Sequence, residues 1–388
     1  MYNTEELMEN GHGDLTTLLS TLRDQAARKI DFVADTVGLD FQTRGGATTV
    51  HAEQTGMATI ATRCNDTAFG QVLAKADIDT RTGRRLQENY PDVIDLALNR
   101  IYSSESKSVM LRTFDSPADS NEPGELRAFL SDKYKRFDNL DMLSAVIPSL
   151  MESDARWQIV NSSVTEKAMT LRFKSESITG EGAAVGDLMA LGMTLGNSET
   201  GHSSAVIAMI VWTLWCLNGM QTSKKQRNAH LTSAQADSDV WAVLTNEAKE
   251  ADNAALSMKL RDVAANYSST EAFEEVLQNF RDAANDTLSE GTTPQAAVEQ
   301  VGRVLQLTKK ETASVLDGLF STMSQPGYAG EPISRATLVN SVTAVANDSK
   351  LRADEISADD VGEWEKRGGR LLDLPASQWT SIATARAA

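Results

Sequence analysis

Four histidines are the first place to look for acid–base or metal chemistry, and His12, His51, His202 and His230 are scattered along the chain. None has a second histidine or a cysteine at ligand spacing. The two cysteines, Cys64 and Cys216, form no Cys-x-x-Cys pair, which excludes the common zinc sites. His202 follows Glu199-Thr200-Gly201, so a general-base or metal role can be drawn with Glu199 and Asp187. A solvent-facing histidine at a hairpin tip is the simpler account. No Gly-x-Gly-x-x-Gly after a strand, no P-loop and no Gly-x-Ser-x-Gly occurs, so the usual nucleotide and hydrolase chemistries have no anchor. No cofactor is implied, and no catalytic set assembles.

Basic side chains offer a different chemistry. Arg81, Arg84 and Arg85 lie close together, as do Lys133, Lys135 and Arg136 around Tyr134 and Phe137. Arg172 and Lys174 share one face of an expected strand beside Phe173, and Lys224, Lys225 and Arg227 follow a long apolar run. Cations interleaved with aromatics suit a groove that neutralises phosphates and stacks the bases of a single strand. A solvated surface explains any one cluster taken alone. All four clusters fall in the less acidic part of the chain, which favours a shared role.

These residues need elements to hold them. Leu15, Leu18, Leu19, Leu22, Ala26, Ile30 and Val33 recur at helical spacing, with Asp14 as N-cap. Gly45-Gly46 marks a turn, and TTVHAEQ and GMATIATRC read as hairpin strands. Helices are expected near 67–76 and near 82–101, the second interrupted at Tyr90-Pro91. Strands are expected over Ser108–Phe114 and Leu126–Leu130, and a helix over Asp138–Leu150 ending near Pro148. Residues 158–178 predict two strands. Two more, joined by the turn Asn197–Gly201, should follow, the second the long apolar Ala205–Leu217. Trp212, Trp215 and Cys216 would then be structural. From about 234 the pattern is helical: Ser268 with Glu271 and Thr308 with Glu311 have capping-box spacing, and Thr293-Pro294 opens another helix.

The fold class expected is α+β: an antiparallel sheet core with a long hairpin and flanking helices, followed by a helical C-terminal region. Residues 1–14 read as a flexible tail, 15–230 as the α+β core domain and 231–388 as an acidic helical domain or arm. The net charge of −17 repels polyanions at long range, so nucleic acid would have to meet a local basic surface. The first 230 residues carry a net −7, and the remaining 158 a net −10. The opening residues lack the basic-then-apolar layout of a signal peptide. The longest apolar run, about 13 residues, is short of the roughly 20 a membrane helix needs. These features predict a cytoplasmic protein with reduced thiols and no membrane partner.

Three segments carry a family resemblance: FGQVLAKADI, LRAFLSDKYKRFDNLDMLSAVIP and VGDLMALGMTLGNSETGHSSAVIAMIVWTLWCLNGM. With PISRATLVNSVTAVAND and GEWEKRGGRLLDLPASQWTSIA further on, the chain resembles, over about 65–380, the phage and plasmid family catalogued as domain of unknown function 932. The Leu-Ser-Asp-x-Tyr and Asn-Ser-Glu-x-Gly…Cys-x-Asn-Gly signatures are the specific ones. The family often has an arginine before Cys-x-Asn-Gly, where this chain has Val211-Trp212-Thr213-Leu214-Trp215, so no basic role is carried over there. The resemblance implies a mobile-element protein, placed in the host cytoplasm if phage-encoded. By analogy of layout with phage annealing proteins, the expected function is non-enzymatic single-stranded DNA binding or strand annealing by a homo-oligomer. Arg81, Arg84, Arg85, Lys133, Lys135, Arg136, Arg172, Lys174, Lys224, Lys225 and Arg227 would line the phosphate path, with Tyr134 and Phe137 stacking on bases. Two alternatives stand beside it: an acidic host-takeover or counter-defence protein that binds a host protein, and an unrecognised enzyme around Glu199 and His202.

Overall fold

A computed structural model describes residues 15–53, 59–116, 122–182, 188–213, 218–228, 244–325, 327–347 and 358–386. The chain is α+β, with two sheets and a helical C-terminal region.

The first sheet contains β1 (Lys29–Asp35), β2 (Leu39–Arg44), β3 (Ala47–Glu53), β4 (Thr59–Cys64), β5 (Ser108–Phe114) and β6 (Gly124–Ser131). Its order is β1-β5-β6-β4-β3-β2, with only β4 and β6 parallel. β1 and β2 are thus consecutive in sequence yet sit at opposite edges, joined only by the short turn Thr36–Gly38. Six flat strands would separate those edges by about 24 Å, whereas such a turn spans about 14 Å at most. The sheet must therefore curl. Its concave face wraps α2 (Asp66–Lys75) and α4 (Pro91–Tyr102), with α3 (Thr80–Asn89) alongside. Phe32, Phe41, Val50, Leu111, Leu126 and Phe129 meet Phe69, Leu73, Ile94 and Leu98 there. Gly45 and Gly46, both at positive φ, make the tight turn that joins β2 to β3. The outer edge of β2 is closed by α4: Asn99 bonds both the N–H and C=O of Phe41, at 2.8 and 3.0 Å, and Asp95 accepts from the N–H of Thr43 at 2.9 Å.

The second sheet is an antiparallel meander, β7 (Trp157–Val164), β8 (Met169–Glu181), β9 (Leu188–Asn197), β10 (Ala205–Thr213) and β11 (Asn218–Asn228). Strand alternation gives it one apolar face. At one end Leu171, Phe173, Met193, Leu195 and Ile207 pack on α1 (Leu15–Arg28), α5 (Asn139–Glu152) and α6 (Asn246–Tyr267). At the other end Met189, Leu191, Met209 and Val211 join the core of α7 (Thr270–Asn285), α8 (Pro294–Leu305), α9 (Lys309–Met323), α10 (Arg335–Asn347), α11 (Ala358–Leu372) and α12 (Ala376–Ala383). Apolar contact runs unbroken from this sheet into the C-terminal helices.

Several expectations need correction. The first helix ends at Arg28, and Ile30 and Val33 belong to β1. Pairing with β5 overrides the helical period there: Phe32 and Ala34 turn inward at strand spacing while Val33 is exposed. Pro148 lies inside α5, which continues to Glu152. The proline and the carbonyl it leaves without a donor, that of Ser144 one turn earlier, are both on the exposed side, where water can serve that acceptor. Ser269, not Ser268, caps α7 by accepting from the N–H of Ala272, and Ser268 ends α6. The caps at Thr293-Pro294 and Thr308/Glu311 and the turn after β9 stand as read. Asp14, Trp215 and Cys216 lie outside the described residues. Among those residues no helix is long and apolar enough to cross a membrane.

Candidate functional site

Where the β9–β10 turn meets the convex face of the first sheet, six charged side chains close a network. Arg112 of β5 is fully buried and sits across from Asp31 of β1 in the strand register. Its Nε and Nη2 donate to Asp31 at 3.0 and 2.8 Å, its Nη2 to Asp138 at 2.5 Å, and its Nη1 to the Glu199 carbonyl at 2.7 Å. Arg127 of β6 pairs with the Glu199 carboxylate and stands over the Phe114 ring at 4.5 Å. Lys29 pairs with Asp138, and the N–H of Asn139 donates to the other Glu199 oxygen at 2.6 Å. Arg112, Arg127 and Lys29 thus balance Asp31, Asp138 and Glu199.

The turn is fastened by more bonds. Asn197 donates to the Phe137 carbonyl at 3.1 Å and to Asn139 at 2.9 Å, and Ser198 donates to the Lys167 carbonyl at 2.6 Å. Tyr134 donates to the Ser198 carbonyl at 2.9 Å, and Gln71 to the Thr200 carbonyl at 2.7 Å. Gly201 adopts a φ of +82°, with Leu130 pressed close to where a Cβ would stand. This explains the Asn-Ser-Glu-x-Gly signature: each residue holds the turn onto the first sheet.

Electrostatics reinforce the network. Burial works against the charge of Arg112, but Asp138, Asp31 and Glu199 outweigh it and hold the guanidinium above its usual range. Burial also pushes Asp138 upward, yet Arg112 and Lys29 more than reverse this, leaving the carboxyl well below the ordinary carboxylate range. Tyr134 is pushed up by burial. A balanced, buried set of this kind orients the two sheets and offers no surplus charge to a ligand. The sequence reading missed Asp31, Arg112, Arg127 and Asp138. The available signal was a lone arginine inside each of two apolar strands, SVMLRTF and GELRAFLS, which must find an acid when buried.

The expected DNA-binding residues are distributed differently from the reading above. Tyr134 and Phe137 are each 1% exposed, so neither ring presents a face to a base. The cause is local: the loop before α5 folds inward to close the network. Lys135 pairs with Asp252 of α6, Lys133 is half-buried and Arg136 exposed. Arg81 and Arg85 are exposed on α3, and Arg84 pairs with Asp66 at 2.9 Å, all in the helix layer of the first sheet. Arg172 is buried against Trp212, 5.2 Å from its ring, and pairs with the fully buried Glu365 of α11. Phe173 is a core residue.

The Glu199/His202 alternative loses its centre. Both Glu199 oxygens are engaged, and the exposed His202 faces Thr200 Oγ1 at 3.1 Å. Asp187 lies outside the described residues, among which no three potential ligand side chains gather as a metal site. Burial pushes the Cys64 thiol up to about 12.

One basic set is brought together. The register aligns Arg172 with Thr194 and Ala208, and Ala208 with Lys225; it aligns Thr170 with Gly196 and Val206, and Val206 with Arg227. Lys174, opposite Gly192, is on the same face. Residues directly opposite in an antiparallel sheet share a face, so positions 172, 174, 225 and 227 lie on the side away from the apolar core, and Lys224 on the other. α11 covers this face at Arg172, while Thr170, Gly196, Val206 and Lys174 stay partly exposed. Comparison of the chain with protein-family models, curated proteins and solved structures finds no match. The family resemblance therefore rests on its motifs.

Proposed function

We propose that the protein is a non-enzymatic single-stranded DNA-binding protein of phage or plasmid type, acting through the polar face of its second sheet. The observation that carries this reading is the register, which aligns Lys174, Lys225 and Arg227 on one face with Thr170, Gly192 and Gly196 between them. Small residues keep the floor flat, and the cations are spaced across strands to meet successive phosphates. Arg172, already neutralised by Glu365, holds α11 in place rather than binding DNA. No exposed aromatic lies on this face, since Trp212 is buried, so affinity comes from phosphate neutralisation and varies little with base identity. The mobile-element resemblance agrees with such a role.

The test is binding to single-stranded DNA as salt is varied. Each phosphate neutralised contributes about −0.7 to the slope of log affinity against log salt. Replacing Lys225 and Arg227 with alanine should flatten the slope by about 1.4 units, while replacing Lys133 and Arg136 should leave it unchanged. Absence of wild-type binding at low salt would overturn the reading and favour the acidic protein-binding alternative.

A further inference from the structure

The geometry points to α4 as a self-complementary interface through which two copies of this chain pair. Ten large apolar side chains are exposed among the described residues, and four of them, Tyr90, Val93, Leu96 and Ile101, belong to α4 or its N-cap. The opposite side of the helix is fully used: Ile94, Leu98 and Tyr102 are buried, and Asp95 and Asn99 are bonded to β2. The apolar ridge thus has no packing partner among the described residues. Leu96 is the extreme case, 73% exposed at the middle of a 12-residue helix.

Charge placement selects the occupant. Asp92, Leu96 and Arg100 follow one another at four-residue steps, so they share one ridge. Asp92 and Arg100 are both exposed, and neither forms an ion pair among the described residues. A two-fold axis passing near Leu96 runs a second α4 antiparallel to the first. That arrangement sets each Asp92 against Arg100 of the second copy and stacks the two leucines at the centre. Every contact is then made twice, as an isologous interface requires. A generic acidic or basic partner would satisfy only one end of the ridge. One helix ridge covers less than the roughly 800 Å² per partner of a standard interface, so the dimer is weak and concentration-dependent.

Sedimentation equilibrium of the full chain from about 1 to about 500 μM tests this, a span that brackets micromolar dimerisation. The wild type should move from monomer to dimer mass. Asp92→Arg and Arg100→Asp should each weaken the dimer roughly tenfold or more by setting like charges together, and the double variant should regain wild-type association. Leu96→Asp should stay monomeric. All four positions are solvent-exposed, so circular dichroism of each variant should match the wild type. A wild type that remains monomeric throughout, a Leu96→Asp variant that still dimerises, or a double variant as weak as the single ones would overturn the interface.

Discussion

The inter-sheet network and the polar face of the second sheet both hold arginines, yet they use them in opposite ways. At the network, three cations meet three carboxylates, and Arg112 is shut from solvent. On the sheet face only Arg172 is matched by an acid, and Lys174 stays partly exposed. The difference separates charge that holds a fold from charge that is available to a ligand. Burial demands balance because a desolvated, unmatched ion is prohibitively costly, whereas surplus charge can persist only where water reaches it. Counting basic residues along the sequence cannot make that distinction, and partner geometry can.

The sharpest way to break the contrast is to remove one member of the balanced set. Arg112→Met should destabilise the protein by about 3–5 kcal/mol, because it strands Asp31 and Asp138 without their counter-ion. Denaturant unfolding measures this, and a loss below about 1 kcal/mol would place the network among weak surface pairs. The Arg172–Glu365 pair should behave similarly when halved. Glu365→Ala alone should cost about 3–5 kcal/mol, while exchanging both partners for apolar residues of similar size should recover most of it. A smaller effect should appear with pH. The folded-state pKa of Asp138 lies below the ordinary 3.8, so its contribution is complete above about pH 4 and is lost as pH falls through the folded value. Unfolding free energy should therefore drop steeply below about pH 4, and Asp138→Asn should flatten that drop. The smallest effect belongs to the open face: Lys174→Ala should change stability by no more than about 0.5 kcal/mol while weakening the salt dependence of DNA binding.

Much of the fold was legible in the sequence wherever a local rule was also the global one. Alternation placed β5 residue for residue, Thr293-Pro294 and Thr308 with Glu311 fixed two helix starts, and the polar run Asn197–Gly201 located the turn after β9. Failures came where tertiary partners override a local pattern. Ile30 and Val33 continue a helical period, but β5 captures them into a strand. Pro148 would end a buried helix, but on the exposed side of α5 it is tolerated. The site was less legible. Tyr134 and Phe137 among lysines look like a stacking platform, and only the folded loop reveals that their rings face inward. Arg172 and Lys225, more than fifty positions apart in the sequence, share a face only through the β8–β9–β10–β11 register.

The clasp of Asp95 and Asn99 on β2 has a consequence for how this chain survives crowding during synthesis. An open strand edge is a template on which a strand from another copy can add. By occupying the outward amide groups of Phe41 and Thr43, two side chains of α4 withdraw that template as soon as the helix docks. Until then β2 is exposed to intermolecular pairing, so the interval between forming β2–β3 and docking α4 is when aggregation competes with folding. Variants that weaken the clasp should lose soluble yield well before they lose native stability.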